Sequence, residues 1–260
     1  MNILEKITQH KIKEIAERSE LYPIKLLEKS IFFESPTISL KKYLLREDKS
    51  GIIAEFKRKS PSKGFINKYA KPEKVSVEYM QAGASALSVL TDNKFFGGSC
   101  EDLKIVRKYN YCPVLRKDFI IDEYQIIEAK SIGADAILLI AAILSKNQII
   151  QFEKLAKSLN LEILFEVHNK EELEKIELDN KIIGVNNRNL KTFETNIQTS
   201  IDLSSFIPDN CVKVSESGIS KIENIIELKK YGFNGFLIGE NFMKSESPGR
   251  ACANFIKKLK

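Results

Sequence analysis

Eight short apolar segments, spaced almost evenly from residue 51 onward, constrain the fold more than any other feature of the chain. Their starts recur about every 25 residues, the length of one strand-helix unit. They are nearly all apolar rather than alternating, as expected of parallel strands covered on both faces. Eight such units predict a closed α/β barrel. The segments are GIIAEF, ALSVLT, CPVLRK, ADAILLI, EILFEV, KIIGVN, VKVSES and GFLIG.

An open, doubly wound sheet is the competing architecture, because alternating strands and helices do not by themselves show closure. Two observations favour the barrel. Eight units close a ring, and no G-x-G-x-x-G motif follows the first strand, where a dinucleotide-binding fold has its phosphate turn. No linker rich in Pro, Gly or Ser interrupts the repeat, so we expect one (β/α)8 TIM barrel over residues 47–260.

Local signals mark where the intervening helices begin and end. Pro72 suits a first helical turn, and Ser247 followed by Pro248 predicts the start of the last helix. Gly83 and Gly232 are expected at helix ends. Capping-box spacing predicts three more helix starts, at Asp122 with Gln125, Ser145 with Gln148, and Ser220 with Glu223.

Residues 1–46 are predicted to form a charged helical extension that precedes the barrel and packs against it. Their polar residues show no arrangement that suggests chemistry, so we expect the extension to support the site rather than to react. The predicted apolar face consists of Ile3, Leu4, Ile7, Ile12 and Ile15.

Composition and the N-terminal sequence limit the ligands, the cysteine chemistry and the location to be expected. The net charge of +6 comes from 41 basic and 35 acidic residues spread over every segment, which suits an anionic ligand without implying nucleic acid. The four cysteines lack C-x-x-C spacing and flanking histidines, so we expect reduced thiols. The N-terminus carries charges from its fifth residue, unlike a secretory signal, and the longest apolar run is shorter than the roughly 20 residues of a membrane span. A cytoplasmic protein is expected.

Polar side chains recur at the ends of five predicted strands, which in a parallel barrel form the catalytic face. Glu55 and Lys57, two residues apart, project to the same side, a solvent-facing ion pair being the alternative. Scattered charges would fall equally on helices and strand starts, so this one-sided placement predicts a reactive mouth. The other polar residues at strand ends are Lys117, Glu166, Asn186, Asn187, Arg188, Glu216 and Ser217.

Two turns of small residues, SESGI after the seventh strand and LIGEN after the eighth, predict a phosphate site. Each leads toward a helix start, where free backbone N–H groups and the helix dipole attract anions. Either turn alone is a common loop, but the pair is typical of phosphate-binding barrels. The SPSKG turn after the first strand adds Ser60 and Lys63 in a basic loop, either a surface turn or a lid.

Neither histidine is expected to act as the acid or base, so acid–base chemistry is assigned to lysine and glutamate. His10 lies in the extension, and we interpret His168, near the end of the fifth strand, as a bystander. No carboxylates have metal-ligand spacing and no cofactor fingerprint occurs, so neither a metal nor a cofactor is expected.

The chain resembles the indole-3-glycerol-phosphate synthase family of tryptophan biosynthesis along essentially its whole length, extension included. The resemblance implies a barrel lyase without a cofactor. Its reaction closes 1-(2-carboxyphenylamino)-1-deoxyribulose 5-phosphate to indole-3-glycerol phosphate, with loss of carbon dioxide and water. The matching segments are IAEFKRKSPSKG, LSVLTD with FFGGS, PVLRKDFIID, GADAILLI, LFEVHN, GVNNRNL, VSESGI and FLIGENFM.

The resemblance also implies roles. Lys117 is the expected general acid on the substrate carbonyl, facing Glu166 across the mouth with the reacting carbons between them. Glu166 is the general base or a carboxylate that stabilises the cation, and which lysine delivers each proton stays open. Lys57 and Glu55 are expected to assist dehydration, and Asn186 and Glu216 to orient these groups and a substrate hydroxyl. Phe96 and Phe119 are expected to stack on the aromatic ring, Ser60 to bind the substrate, and Lys57 or Arg188 to bind the carboxylate on the rim opposite the phosphate. The residues expected around the phosphate are Ser217, Gly218, Gly239 and Glu240.

Two other functions are weighed. Another phosphate-binding barrel enzyme, such as phosphoribosylanthranilate isomerase, would share the two phosphate turns but gives no reason for EFKRKSPSKG. A basic binding module would need Lys and Arg clustered with aromatic residues, whereas here bases are dispersed among acids. We therefore expect an enzyme for a small phosphorylated substrate, with no nucleic acid, membrane or obligate protein partner.

Overall fold

All eight predicted strands form in the computed structural model, which describes residues 3–190 and 192–259. Each strand pairs in parallel with its two neighbours in sequence, and the last pairs with the first, so the ring is closed. The α/β barrel is thus confirmed and the open sheet is excluded. The strands are β1 (Ile52–Phe56), β2 (Ala86–Leu90), β3 (Val114–Lys117), β4 (Ala136–Ile140), β5 (Glu162–Val167), β6 (Ile182–Asn186), β7 (Val212–Glu216) and β8 (Phe233–Ile238).

Helices follow the strands and cover the outside of the barrel, and three helices precede β1. None of the helices in the described part of the chain has the length and apolar content needed to cross a bilayer. The helices are α1 (Ile3–Leu21), α2 (Ile24–Leu27), α3 (Leu40–Leu44), α4 (Pro72–Gln81), α5 (Asn93–Phe96), α6 (Cys100–Tyr109), α7 (Glu123–Ser131), α8 (Lys146–Ser158), α9 (Lys170–Leu173), α10 (Gln198–Ser204), α11 (Ile222–Lys230), α12 (Glu240–Met243) and α13 (Pro248–Lys257), with a 3-10 turn at Ala141–Ile143.

Most predicted helix boundaries are confirmed, including the capping boxes at the starts of α7 and α8 and the prolines that begin α4 and α13. The capping box predicted for Ser220 and Glu223 is wrong. Helix α11 begins one residue later, because Asn224 rather than Glu223 reaches back: its Oδ1 accepts a hydrogen bond of 3.3 Å from the backbone N–H of Lys221.

Apolar side chains form two layers. Because successive strand residues point to opposite faces, one set fills the barrel and the other packs under the helices. The inner set includes Ile53, Leu115, Leu164 and Val214. The residue two positions after each of these therefore points into the mouth of the barrel.

The N-terminal segment packs against both ends of the barrel. Helix α1 crosses the mouth, where Ile7 is buried, and Leu40 and Leu44 of α3 join the interior cluster. Between them the chain runs along α7, where the Ser30 hydroxyl donates to the Ser131 carbonyl. The predicted bounds 1 and 260 fall on residues outside the described part of the chain.

The predicted apolar face of α1 contains one error. Ile12 is 61% exposed, whereas Lys11 is buried. Ile7 and Lys11, four residues apart, share a helix face, and Ile12 is turned away from it. The Lys11 ammonium lies 3.0 Å from Asp92 and 3.0 Å from Asp118, two buried carboxylates that follow β2 and β3. The sequence did not predict this buried ion cluster, which joins the extension to the loops after β2 and β3.

Candidate active site

A cavity of about 420 Å³ opens at the C-terminal ends of the strands. Its walls come from the strand ends, the loops that follow them, and helix α1. All fourteen residues assigned to the site from sequence line it: Glu55, Lys57, Ser60, Phe96, Lys117, Phe119, Glu166, Asn186, Arg188, Glu216, Ser217, Gly218, Gly239 and Glu240.

The centre of the cavity is an ion cluster around Lys117. Its ammonium lies 2.7 Å from Glu166 Oε2 and 3.0 Å from Glu216 Oε2. Asn186 donates from Nδ2 to Glu166 Oε1 at 3.1 Å. Lys117 and Glu166 come from β3 and β5 as expected, and their side chains are in direct contact; that the reacting carbons lie between them stays a prediction. Lys117 ends β3 and Glu166 lies on β5, so the two charges make contact across the mouth past β4, which lies between their strands.

Burial and charge act against each other in this cluster. Burial alone would lower the pKa of Lys117, but Glu166, Glu216 and Glu55 outweigh it and raise the pKa above its ordinary value. Burial would raise the pKa of Glu166, yet Lys117 lowers it overall. Glu216 differs: burial, together with the charge of Glu166, raises its pKa in spite of Lys117. The site thus holds a charged acid, an ionised carboxylate and a carboxyl that protonates readily.

One oxygen of the Glu216 carboxylate is available to a ligand. Both oxygens are buried; Oε2 is ion-paired with Lys117 at 3.0 Å, whereas Oε1 makes no hydrogen bond among the described residues. Gly184 on β6 leaves the space that this side chain occupies, since a Cβ there would overlap Glu216 Oε1. A buried carboxylate oxygen without a donor requires an explanation, and a substrate hydroxyl in the cavity would supply one for Oε1.

A second ion pair stands at the end of β1. The ammonium of Lys57 lies 2.7 Å from Glu55 Oε1. Gly239 packs directly on Glu55, where a Cβ would overlap its carboxylate, so the turn after β8 and this pair are in contact. Ser60 is buried at the start of a short antiparallel hairpin formed by Lys59–Ser60 and Gly64–Phe65, and Lys63 lies in its exposed turn.

The turn after β7 has an unusual backbone. Ser217 and Gly218 both adopt positive φ, +68° and +75°, and a Cβ on Gly218 would press on Thr195. Asn187, predicted at the strand end, is buried outside the cavity and donates from Nδ2 to the Ser217 carbonyl at 3.1 Å. Asn187 therefore shapes this turn.

The position expected for the two candidate cations, Lys57 and Arg188, is wrong. Lys57 follows β1 and Arg188 follows β6, the strands on either side of β7 and β8. Both flank the turns after β7 and β8, which are predicted to bind phosphate, instead of lying on the opposite rim, and the Arg188 guanidinium is 3.9 Å from Glu240. The order of the strands around the ring decides where Lys57 and Arg188 lie, and that order could only be assumed from the sequence.

The opposite rim is apolar. The rings of Phe96 and Phe119 lie 5.8 Å apart between their centroids, and Ile140 follows them around the ring. Sequence reasoning missed the contribution of α1, whose Ile3, Leu4 and Ile7 close this side; they were predicted to pack but not to line the site. Lys244, at the end of α12, was also missed. Its position five residues after Gly239, in the segment that follows β8, was the signal that could have placed it at the cavity.

Two residues near the mouth were set aside from sequence. His10 packs against Phe95 with ring centroids 5.9 Å apart. His168 Nε2 lies 3.6 Å from Glu166 Oε1, and its interpretation as a bystander stays a prediction. In the described part of the chain, no group of three or more His, Cys, Asp or Glu side chains is arranged to hold a metal ion. The four cysteines are free thiols.

A closed parallel barrel with acids, bases and glycine-lined turns at the C-terminal ends of its strands defines a (β/α)8 enzyme. The family model described as indole-3-glycerol phosphate synthase matches residues 4–256. Proteins of that name are 47% identical in Bacteroides thetaiotaomicron, over 99% of both chains, and 44% identical in Alkaliphilus metalliredigens, over 95% of both. The chain belongs to the indole-3-glycerol phosphate synthase family.

Solved structures support the fold independently. The tryptophan synthase alpha chain of Legionella pneumophila has a TM-score of 0.61 at 12% identity, covering 85% of this chain and 95% of that chain. A chain of the tryptophan synthase complex of Pyrococcus furiosus has a TM-score of 0.58 at 17% identity, covering 82% and 98%. At such low identity these similarities support only the barrel fold.

Proposed function

We propose that the chain converts 1-(2-carboxyphenylamino)-1-deoxyribulose 5-phosphate to indole-3-glycerol phosphate, with release of carbon dioxide and water, in the cytoplasm. Family membership supports the reaction. The observation that carries the assignment of the site is the order of chemistry across one cavity: glycine-lined turns at one side, the Lys117 cluster in the centre, and an apolar rim opposite. A phosphate, a carbonyl and an aromatic ring follow one another in this substrate.

Condensation needs an acid at the carbonyl oxygen. Lys117 keeps its proton in the resting site because three carboxylates surround it, and it gives that proton to the oxygen as the ring carbon attacks. The positive charge that develops on the substrate nitrogen is stabilised by Glu166. Loss of carbon dioxide then restores the aromatic ring.

Dehydration needs a second proton on the same oxygen and a base for the adjacent CH₂ carbon. The Lys57 ammonium, ion-paired with Glu55, supplies that proton as water departs, and Glu166 takes the carbon-bound proton and returns it to the neutral Lys117 amine. Oε1 of Glu216, which has no hydrogen-bond partner among the described residues, accepts a hydrogen bond from a substrate hydroxyl, which fixes the sugar chain. Ser217, Gly218, Gly239 and Glu240 hold the phosphate through their turns.

The test is direct. The purified protein is incubated with the anthranilate-derived substrate while indole fluorescence and carbon dioxide release are followed together. We expect both signals at a constant ratio without added metal or cofactor. Turnover of phosphoribosylanthranilate without carbon dioxide release would instead assign an isomerase.

A further inference from the structure

Helix α1 is joined to the site by one buried ammonium. The Lys11 side chain is 1% exposed, and its Nζ lies 3.0 Å from an oxygen of each of three carboxylates, those of Asp92, Asp118 and Glu14. The side chains of Asp92 and Asp118 are fully buried as well. Buried charges are costly unless they are closely paired, so these three groups hold one another in place. Whatever the two aspartates bind is therefore held in place with them.

Asp92 holds the turn that carries the first ring of the apolar rim. Its Oδ2 faces Lys11, and its Oδ1 accepts hydrogen bonds from the backbone N–H groups of Phe95 and Phe96, at 2.7 and 3.2 Å. Asp92 is thus the N-cap of α5. Helix α5 has four residues, too few to be stable by itself. The position of Phe96 therefore depends on this cap and on the ammonium that fixes it.

Asp118 holds the second ring in the same way. Its Oδ1 lies 3.0 Å from the Lys11 ammonium and also accepts a hydrogen bond of 2.8 Å from the backbone N–H of Phe119. Its Oδ2 accepts from the Thr91 hydroxyl and lies 3.2 Å from the Arg116 guanidinium. Burial would raise the pKa of Asp118, but Lys11 and Arg116 outweigh burial and lower it. The carboxylate therefore stays ionised and keeps these contacts.

Helix α1 itself forms the third wall. Ile7, one turn before Lys11 on the same helix face, is buried and lines the cavity. It belongs to one apolar cluster with Phe96 and Phe119. One ammonium thus ties together the three segments that enclose the apolar end of the cavity: the turn after β2, the turn after β3, and α1.

We infer that Lys11 is a positioning residue for the aromatic ring of the substrate. Lys11 does not line the cavity itself. By holding Asp92 and Asp118 together, it sets the gap between Phe96, Phe119 and α1 that a planar aromatic ring enters. The turns after β7 and β8 contain none of these residues. Lys11 therefore acts on the ring and not on the phosphate; the identity of the ring rests on the proposed function.

Two ligands separate the ring from the phosphate. N-(2-carboxyphenyl)glycine keeps the anthranilate ring and lacks the phosphate, and its own fluorescence reports binding; inorganic phosphate is titrated by calorimetry. In Lys11→Met the dissociation constant of the aromatic ligand should rise about tenfold, the loss of one well-placed ring contact. That of phosphate should stay within about twofold. The exposed Lys13→Met is the matched control and should bind both ligands as the native protein does.

Steady-state kinetics give a second measure. KM for the proposed substrate should rise about tenfold in Lys11→Met, because ring binding is weakened. The loss in kcat should be less than about threefold, since Lys117 keeps its contacts with Glu166 and Glu216. A variant that is only less well folded would instead show a lower kcat at the native KM, because its folded fraction would bind normally.

The double variant Lys11→Met/Asp92→Asn separates positioning from stability. Lys11→Met leaves a buried carboxylate without its cation, whereas the second substitution removes that charge and keeps an oxygen that can cap α5. Asp118 still has Arg116. The double variant should therefore regain most of the melting temperature that Lys11→Met loses. Its dissociation constant for the aromatic ligand should stay raised, because α1 is still not tied to the two turns.

Native affinity for the aromatic ligand in folded Lys11→Met would overturn the proposal. Equal losses for the aromatic ligand and phosphate would also overturn it, as would ring affinity that recovers with the melting temperature in the double variant. Either result would make Lys11 a residue of stability alone. If Lys11→Met does not fold, the double variant decides. Failure of the proposed function is distinct, because the native protein would then form no indole product.

Discussion

Replacing Lys117 by methionine tests the centre of the site, because methionine keeps much of the apolar stem and removes the ammonium beside Glu166 and Glu216. Turnover should fall by about 10²–10⁴-fold, which corresponds to about 3–5 kcal/mol at about 1.4 kcal/mol per tenfold. The phosphate turns and the apolar rim contain no part of Lys117, so KM should stay within a few-fold.

The same variant has a stability signature with a definite sign. Without the ammonium, Glu166 and Glu216 are buried together and their pKa values rise above those of the unfolded chain. Groups with a raised pKa bind protons on folding, so the variant should lose stability as pH rises from about 4.5 through the raised values. At high pH the loss should approach the roughly 3–5 kcal/mol of a broken buried ion pair.

Turnover is followed by indole fluorescence, and unfolding by thermal melts at pH 5 and pH 8. Lys63→Met, in the exposed turn of the hairpin, is the matched control and should leave both unchanged. The reasoning fails if Lys117→Met retains near-native turnover, or if its melting temperature relative to the native protein is the same at both pH values.

Further predictions address the other parts of the molecule. Glu166→Gln should lose about 10²–10⁴ in kcat with little change in KM; steady-state kinetics decide, and native turnover would remove Glu166 from the chemistry. A crystal soaked in phosphate should show the anion at the backbone of Gly218 and Gly239, and an anion found only elsewhere would refute the phosphate site. Lys11→Met leaves buried carboxylates unpaired and should destabilise the protein by about 3–5 kcal/mol in denaturant melts; the exposed Lys13→Met should not. Deleting residues 1–46 should leave a foldable barrel with a lower melting temperature and a higher KM, and unchanged values would contradict a supporting role.

The strand-end residues were predictable because a simple rule connects them to the mouth. An apolar run fixes a strand, the period of two fixes which residues share a face, and the direction of parallel strands fixes the end at which they emerge. Leu115 followed by Lys117, and Leu164 followed by Glu166, illustrate the rule. No knowledge of distant contacts is needed at any step.

Other features depend on which segments meet. The contact of Lys11 with Asp92 and Asp118 joins residues about 80 and 107 positions apart, and nothing near Lys11 in the chain marks it as buried. Likewise, Arg188 lies beside Glu240 because the loops after β6 and β8 converge over the mouth. Local patterns carry no information about such pairs.

The sequence by itself determined the number of strands, the closed class of fold, the family and the set of side chains that line the mouth, because each follows from a local period or a continuous motif. The tertiary structure decided how those side chains are paired. The contacts of Lys117 with Glu166 and Glu216, and the place of His168 beside Glu166, arise from distances between strands. Charge and burial, which set proton affinity, depend on those distances and therefore exist only in the folded chain.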